Sequence, residues 1–287
     1  MRRALTVAAL SLAATAAGLA PSQAITGNYE KDTVHTYVAM LVFYTEPAEE
    51  GGDPFSHRCT GSLLDDGVTI VTAGHCTEGV DEGRAYFQQA AAPNYDPEAF
   101  DGRGGDPTTG YPYVGGVTFS QADNYGFHDF EGYPENKDVG VVVLDEPVTT
   151  SNRRYAELPE AGALNDYVAS VRKKQNVRFT LSGYGLSGTT PTPTSTRERL
   201  TGTSALVNDR APITRFNLKT SANPAQGKAG TCSGDSGGPV LARGSDTVLA
   251  VTSFGMNAKC RGLDFSYRLD RKVVLDWIAD PNRLDAG

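Results

Sequence analysis

Short runs of β-branched, aliphatic and aromatic residues alternate with turns rich in Gly, Pro and Asp along most of the chain. Few segments repeat their apolar positions at the spacing of a helix, so the pattern predicts an all-β protein. The predicted strands are residues 38–44, 62–64, 68–72, 139–144, 179–181, 203–207, 216–218, 240–242 and 248–252. The strands at 62–64 and 68–72 should form a hairpin around Asp65-Asp66-Gly67.

Two segments depart from the strand pattern. Val273, Val274, Trp277 and Ile278 have helical spacing and predict a helix at the C-terminus. A second, short helix is expected within residues 164–174. Three stretches with many turn-forming residues are predicted to be surface insertions: 46–58, 93–116 and 187–196.

The first 24 residues have the composition of a secretory signal peptide. Arg2 and Arg3 precede a run rich in Ala and Leu, and small residues follow up to Ala24. This apolar run is short for a membrane span. The sequence therefore predicts an exported, soluble protein that begins after Ala24, with no membrane partner.

Charge and cysteine content narrow the possible functions. The formal net charge is −8 and no basic cluster is present, which argues against a nucleic acid as partner. The chain has four cysteines, and none of them forms a C-x-x-C pair. In an exported protein this favours disulfides over a zinc site, although the sequence alone leaves three pairings open. We expect no metal and no cofactor.

The segment Gly234-Asp235-Ser236-Gly237-Gly238-Pro239 contains the strongest chemical signal in the chain. A serine between glycines exposes its hydroxyl beside bare backbone N–H groups, as a nucleophile with an oxyanion hole requires. The same residues fit the elbow of α/β-hydrolases, in which the histidine follows the serine. All four histidines precede Ser236 here, so that interpretation fails. The subtilisin order would need an aspartate such as Asp65 or Asp66 to act ahead of His75, in a chain rich in βαβ units, and the all-β pattern does not fit this.

The remaining order is His, Asp, Ser, with Thr72-Ala73-Gly74-His75-Cys76 and Lys137-Asp138-Val139-Gly140-Val141 preceding the serine. Together with Cys59-Thr60-Gly61-Ser62-Leu63-Leu64 and Gly183-Tyr184-Gly185, these blocks resemble chymotrypsin/trypsin-like serine proteases, of a secreted bacterial type. The resemblance runs from Ile25 to about Ile278.

The resemblance implies two packed six-stranded antiparallel β-barrels with a C-terminal helix. Residues 1–24 would be the signal peptide, and residues 25–150 the barrel that carries His75 and Asp138. Residues 151–287 would form the second barrel, with Ser236 and the helix. The resemblance also implies disulfides between Cys59 and Cys76 and between Cys232 and Cys260.

The family's mechanism implies roles for the three central residues. Ser236 would attack the scissile carbonyl, His75 would transfer the proton, and Asp138 would orient the imidazole. The backbone N–H groups of Gly234 and Ser236 would bind the oxyanion.

The resemblance also supplies a partner for Asp235, the α-amino group of a mature chain that starts at Ile25. Ile25-Thr26-Gly27-Asn28 resembles the family's Ile-Val-Gly-Gly start and directly follows the predicted cleavage site. Signal cleavage would then itself generate the activating terminus.

Specificity is less well defined by the sequence. Trypsin-like members have an aspartate six residues before the nucleophile, where this chain has Gly230. Gly230 and Thr231 with Ser253-Phe254-Gly255 predict an open pocket for an apolar or aromatic P1 side chain. Asp264 could restore a negative charge to this pocket, Phe265 could shorten it, or both could pack elsewhere.

These inferences favour a secreted, monomeric serine endopeptidase that acts on polypeptides. A protease-fold binding protein without catalysis is the main alternative. An esterase is another, because the same acyl-enzyme chemistry hydrolyses esters.

Overall fold

The computed structural model describes residues 25–45, 55–80, 82–91, 116–189, 191, 193, 197–207, 213–223 and 228–280. The predicted signal peptide lies outside the described residues. So do most of the predicted insertion 93–116, residues 46–54, and residues 190, 192 and 194–196 of the third insertion.

A short N-terminal segment comes before the first barrel. It contains β1 (Thr26–Gly27) and β2 (Tyr29–Lys31). Six antiparallel strands then close into a barrel: β3 (Val38–Tyr44), β4 (Phe55–Leu63), β5 (Thr69–Thr72), β6 (Glu82–Tyr86), β7 (Val117–Asn124) and β8 (Gly140–Leu144). Their order around the barrel is β3-β4-β5-β8-β7-β6.

The second barrel contains six strands, and one further strand is added to it. Its strands are β9 (Arg178–Gly183), β10 (Leu200–Leu206), β11 (Asn217–Ala222), β13 (Pro239–Ala242), β14 (Val248–Gly255) and β15 (Gly262–Arg268). They follow the order β11-β15-β14-β13-β9-β10, and the pairing of β10 with β11 closes the ring. β2 adds to the outside of β10, and β1 pairs with β12 (Ala229–Gly230). The N-terminal segment is thereby attached to the second barrel.

The helices are α1 (Gly74–Thr77), α2 (Ala163–Ser170), α3 (Ile213–Phe216) and α4 (Lys272–Ile278), and a 3-10 turn covers Lys174–Asn176. Within the described residues, none of these helices is long and apolar enough to cross a membrane. α4 and α2 occupy the two places where the sequence predicts helices.

The fold class predicted from the sequence is confirmed, with differences at individual strands. β3 has the predicted bounds, because seven consecutive apolar residues are all buried there. The predicted insertion 46–58 is wrong in its last four residues, since β4 begins at Phe55 and pairs His57 with Phe43. β6, β7 and β15 were not predicted, because Gly, Arg, Gln and Asp interrupt their apolar pattern.

The described residues form two apolar clusters, and the first of them extends from the first barrel to Leu241, Val251 and Tyr267 of the second. The first is built around β3 and the buried residues of β4, β5 and β8. The second contains Ile25 together with Leu181, Leu200, Leu218 and Val240. Ile25 is fully buried, so the segment that begins the predicted mature chain is part of the second core.

Candidate active site

His75 and Asp138 are brought together by two adjacent strands of the first barrel. His75 lies in α1 directly after β5, Asp138 comes just before β8, and β5 pairs with β8. His75 Nδ1 lies 3.0 Å from Asp138 Oδ2 and 3.1 Å from Oδ1. The backbone N–H of His75 also donates to Oδ1 at 2.8 Å. These contacts engage Nδ1 and leave Nε2 as the ring nitrogen available for chemistry.

The Asp138 carboxylate has a third donor, which the sequence did not indicate. Asp138 is fully buried, and Ser253 Oγ donates a hydrogen bond to its Oδ2. Asn136 Nδ2 in turn lies 3.4 Å from Ser253 Oγ. The sequence places Ser253 only in the pocket wall. In the structure Ser253, which belongs to the second barrel, also contacts the Asp138 carboxylate of the first barrel.

The loop that carries Ser236 docks onto the first barrel. Thr60 of β4 donates its backbone N–H to Ser236 O at 2.8 Å and its Oγ1 to Gly234 O at 2.8 Å. Gly237 has φ +77°, and a Cβ there would lie 2.6 Å from the backbone N of Ala73. Ala73 precedes His75 by two residues. The loop that carries the serine therefore packs directly against the segment that carries the histidine.

The predicted oxyanion-hole residues lie in the turn of the same loop. Gly234 has φ +94°, and the N–H of Asp235 donates to Cys232 O at 2.9 Å. The structure thus places Gly234 and Ser236 one residue apart in a tightly hydrogen-bonded turn. Their role as oxyanion donors stays a prediction.

Asp235 is completely buried beneath this loop. Its Oδ1 accepts a hydrogen bond from Gly185 N at 2.8 Å, and its Oδ2 accepts one from Cys232 N at 2.9 Å. Burial raises the pKa of Asp235 to about 7, although these hydrogen bonds and the charge of Arg58 act in the opposite direction. In the full-length sequence residue 25 follows Ala24 and has no free α-amino group. The pair of Ile25 with Asp235 therefore stays a prediction for the mature chain.

Arg58 is a second residue of the site that the sequence did not indicate. Its Nε lies 3.3 Å from the position that a Cβ would take on Gly234. This guanidinium therefore packs against the turn that carries the proposed oxyanion donors. Only the position of β4 beside the Ser236 loop brings it there.

An open cavity of about 230 Å³ lies beside Ser236. Thr231, Ser253, Phe254 and Gly255 line it together with Ser236, as the sequence predicts for a substrate pocket. Gly230 precedes Thr231 in β12 and is buried. The structure therefore brings all the predicted pocket residues except Gly230 to the cavity beside the predicted nucleophile.

Asp264 and Phe265 do not line this cavity, but each contacts a residue that does. Asp264 is 1% exposed, and its Oδ2 accepts a hydrogen bond from Thr231 N at 2.7 Å. Burial raises its pKa to about 6, and the hydrogen bonds from Thr231 lower it in part. The Phe265 ring stacks on Phe254 with 4.8 Å between the centroids.

Aromatic rings also surround His75. Phe130 and Phe127 have ring centroids 5.5 Å and 6.0 Å from the imidazole, and Phe130 lies 5.5 Å from Phe254. Phe130 is 44% exposed. An apolar surface therefore runs from His75 to the wall of the cavity, in a loop where the sequence showed no strand.

Both disulfides match the pairing that the resemblance implies. Cys59 is bonded to Cys76, which connects β4 with the helix of His75, and Cys232 is bonded to Cys260 across the cavity. His75 has a ring nitrogen within 4.8 Å of the Cys59 and Cys76 sulfurs. These sulfurs are bonded to each other and are not the thiolates that bind zinc.

Comparisons with known proteins extend over nearly the same residues. A family model described as Trypsin matches residues 25–278. Trypsin zeta of Drosophila erecta is 27% identical over 247 residues, which cover 82% of this chain and 77% of that protein.

Two solved structures are also similar. The structure of HL collagenase aligns with a TM-score of 0.62 and 21% identity, over 88% of this chain and 96% of the other. The scabies mite inactivated protease paralogue S-I1 aligns with a TM-score of 0.54 and 18% identity, over 88% and 96%. At these identities the two structures support the fold alone.

Proposed function

Because the chain belongs to the trypsin family of serine proteases, we propose that it is a secreted endopeptidase with the triad His75, Asp138 and Ser236. The observation that carries this proposal is the buried Asp138 carboxylate, which accepts hydrogen bonds from both nitrogen donors of His75 and from Ser253. A carboxylate in this position keeps the imidazole in one tautomer and stabilises the imidazolium that forms during the reaction.

The proposed reaction follows from this arrangement. Ser236 Oγ attacks the carbonyl carbon of the scissile peptide bond while His75 Nε2 takes the hydroxyl proton. The resulting oxyanion accepts hydrogen bonds from the backbone N–H groups of Gly234 and Ser236. His75 then gives its proton to the leaving amine, and a water molecule hydrolyses the acyl-enzyme by the same steps in reverse order.

The proposal includes secretion and activation. The predicted signal peptide ends at Ala24, and two disulfides fit an oxidising compartment. Cleavage there would create an α-ammonium group on Ile25. An ion pair between this group and Asp235 would offset the burial of the carboxylate and hold the oxyanion loop.

A binding protein that has lost catalysis is the second candidate. One structural neighbour is itself described as an inactivated protease paralogue, so the fold by itself does not establish catalysis. The retention of a histidine, an aspartate and a serine at all three triad positions of this chain favours the enzyme.

Labelling the folded mature protein with a fluorophosphonate distinguishes the two candidates. An endopeptidase should be labelled stoichiometrically at Ser236, and Ser236→Ala should abolish the labelling. Ser236→Ala should also reduce kcat for peptide substrates by about 10⁶, as removal of a triad nucleophile does.

Ser233→Ala is a matched control, because Ser233 lines the same cavity but is not part of the triad. It should keep the labelling. If the folded wild-type protein is not labelled, or if Ser236→Ala keeps activity within tenfold of wild type, the enzyme proposal is wrong.

A further inference from the structure

A buried carboxylate lies beside the cavity that contains Ser236. Asp264 is 1% exposed and receives hydrogen bonds from Thr231. Among the described residues, no cationic side chain pairs with it. An unpaired carboxylate in such a place is unfavourable. A cation supplied by a ligand would therefore be stabilised there.

The residues between this carboxylate and the cavity have little or no side chain. A Cβ on Gly230 would lie 3.2 Å from Asp264 Oδ2, and a Cβ on Gly255 would lie 3.5 Å from Oδ1. Gly255 pairs with Asp264 between β14 and β15 and lines the cavity. Thr231, whose N–H binds the carboxylate, lines it as well. Asp264 is thus flanked on two sides by residues of the cavity wall.

The wall of the cavity also suits a long side chain with a charged end. Phe254 lines the cavity and is stacked on Phe265, which gives one side an apolar surface. Lysine and arginine bury their methylene stems against such surfaces while the charged group is held elsewhere. Together the wall and the carboxylate match an elongated cationic side chain.

On the basis of the proposed endopeptidase function, we propose that Asp264 is a specificity-determining residue that makes the cavity accept a lysine or arginine P1 side chain. The carboxylate comes from β15, and Gly230 takes no part beyond leaving space beside Asp264 Oδ2. This assignment replaces the preference for apolar P1 residues that Gly230 alone predicts.

The test compares peptides that differ only at P1, with Arg or Lys against Phe or Leu. The variant Asp264→Asn keeps the size of the side chain and an oxygen that can accept from Thr231 N. Wild type should cleave the Arg peptide with the higher kcat/KM. In Asp264→Asn the Arg/Phe ratio of kcat/KM should fall by about 10- to 100-fold, the range expected for hydrogen bonds to a charged group.

Asp145→Asn is the control, because Asp145 is exposed at the end of the first barrel. It should leave the ratio unchanged. The proposal is overturned if wild type prefers Phe or Leu, or if the ratio in Asp264→Asn falls by less than tenfold.

The pH dependence of the wild-type ratio gives a second measurement if Asp264→Asn does not fold. Since the pKa of Asp264 is raised to about 6, acidification from pH 8 to pH 5 should protonate most of it and lower the Arg/Phe ratio by about 5- to 10-fold. Asp235 is the ionisable side chain coupled to Asp264, and the facing residues Thr220, Thr231 and Gly255 do not titrate in this range. A ratio that stays flat between pH 8 and pH 5 overturns the assignment.

Active-site labelling separates failure of this assignment from failure of the proposed function. Absence of labelling and of cleavage for every P1 residue refutes the endopeptidase and any P1 role with it. Full labelling with an unchanged ratio refutes the role of Asp264 alone.

Discussion

Replacing Gly237 with alanine tests whether the contact between the two barrels positions Ser236, the proposed nucleophile. A Cβ on Gly237 would lie 2.0 Å from Thr72 Oγ1, 2.4 Å from Thr60 O and 2.6 Å from Ala73 N. Two of these atoms are backbone. Thr72 Oγ1 is itself held by its hydrogen bond to Thr60 O at 2.8 Å. The new methyl group therefore forces the loop of Ser236 to move away from the first barrel.

The size of the effect follows from these distances. To reach an ordinary contact of 3.4 Å with Ala73 N and Thr60 O, the loop must retreat by about 1 Å. A misplacement of about 1 Å can reduce the rate about 100-fold, so kcat should fall by this order. The left-handed backbone at Gly237 adds about 1–2 kcal/mol of strain to the folded state. The steric overlap adds about 1–3 kcal/mol more.

Gly244→Ala is a matched control for the strain. Gly244 has φ +80°, and a Cβ there would have no neighbour within 4 Å. It should lose only about 1–2 kcal/mol of unfolding free energy and keep its kcat. The assays are denaturant unfolding, and kcat for a fluorogenic peptide normalised to the sites titrated with a fluorophosphonate. If Gly237→Ala keeps kcat within threefold of wild type, or matches Gly244→Ala in both assays, the proposed docking of the loop does not position Ser236.

Two further predictions concern the N-terminal segment and its anchoring. Asp32 is fully buried and accepts hydrogen bonds from Ser182 Oγ at 2.6 Å and His35 Nδ1 at 2.8 Å. Burial alone would raise the pKa of Asp32. The contacts with His35 outweigh this effect and lower the pKa below 3.8. Ionised Asp32 therefore stabilises the fold above about pH 4. This contribution is lost as the pH falls through the pKa that Asp32 has in the folded protein. Asp32→Asn should lower the unfolding free energy at pH 7 by about 3 kcal/mol and by less at pH 2, and equal losses at both pH values would contradict this. If Ile25 is the activating terminus, a methionine added before it should lower kcat without unfolding the protein. N-terminal sequencing of the active secreted protein checks the start, and a start several residues away from Ile25 would refute the scheme.

The resemblance carried by short sequence blocks predicted the two barrels and both disulfides. β3 was predicted with its bounds because its seven consecutive apolar residues include β-branched and aromatic ones that favour a strand, and all seven are buried. β6 and β7 escaped prediction because their stability comes from pairing with β3, β8 and each other, and not from their own apolar content.

The candidate site was predicted for residues inside the motif blocks and missed for residues outside them. His75, Asp138 and Ser236 each lie in a block whose local sequence already restricts the backbone. Arg58, Asn136 and the hydrogen bond from Ser253 to Asp138 have no local signal. They depend on which strand of one barrel faces which loop of the other.

The sequence by itself determined the family and the proposed chemistry, because the proposed nucleophile, base and orienting carboxylate lie in short segments with characteristic neighbours. Only the tertiary structure decided where Asp264 and Phe265 lie. β14 pairs Thr252 with Ser266 but Phe254 with Phe265, so the register shifts by one residue at Ser253. Since neighbouring side chains of a strand lie on opposite faces, a shift of one residue exchanges the residues that face the cavity. That bulge places the Asp264 carboxylate against Thr231 and packs Phe265 on Phe254, and no local pattern in the sequence encodes it.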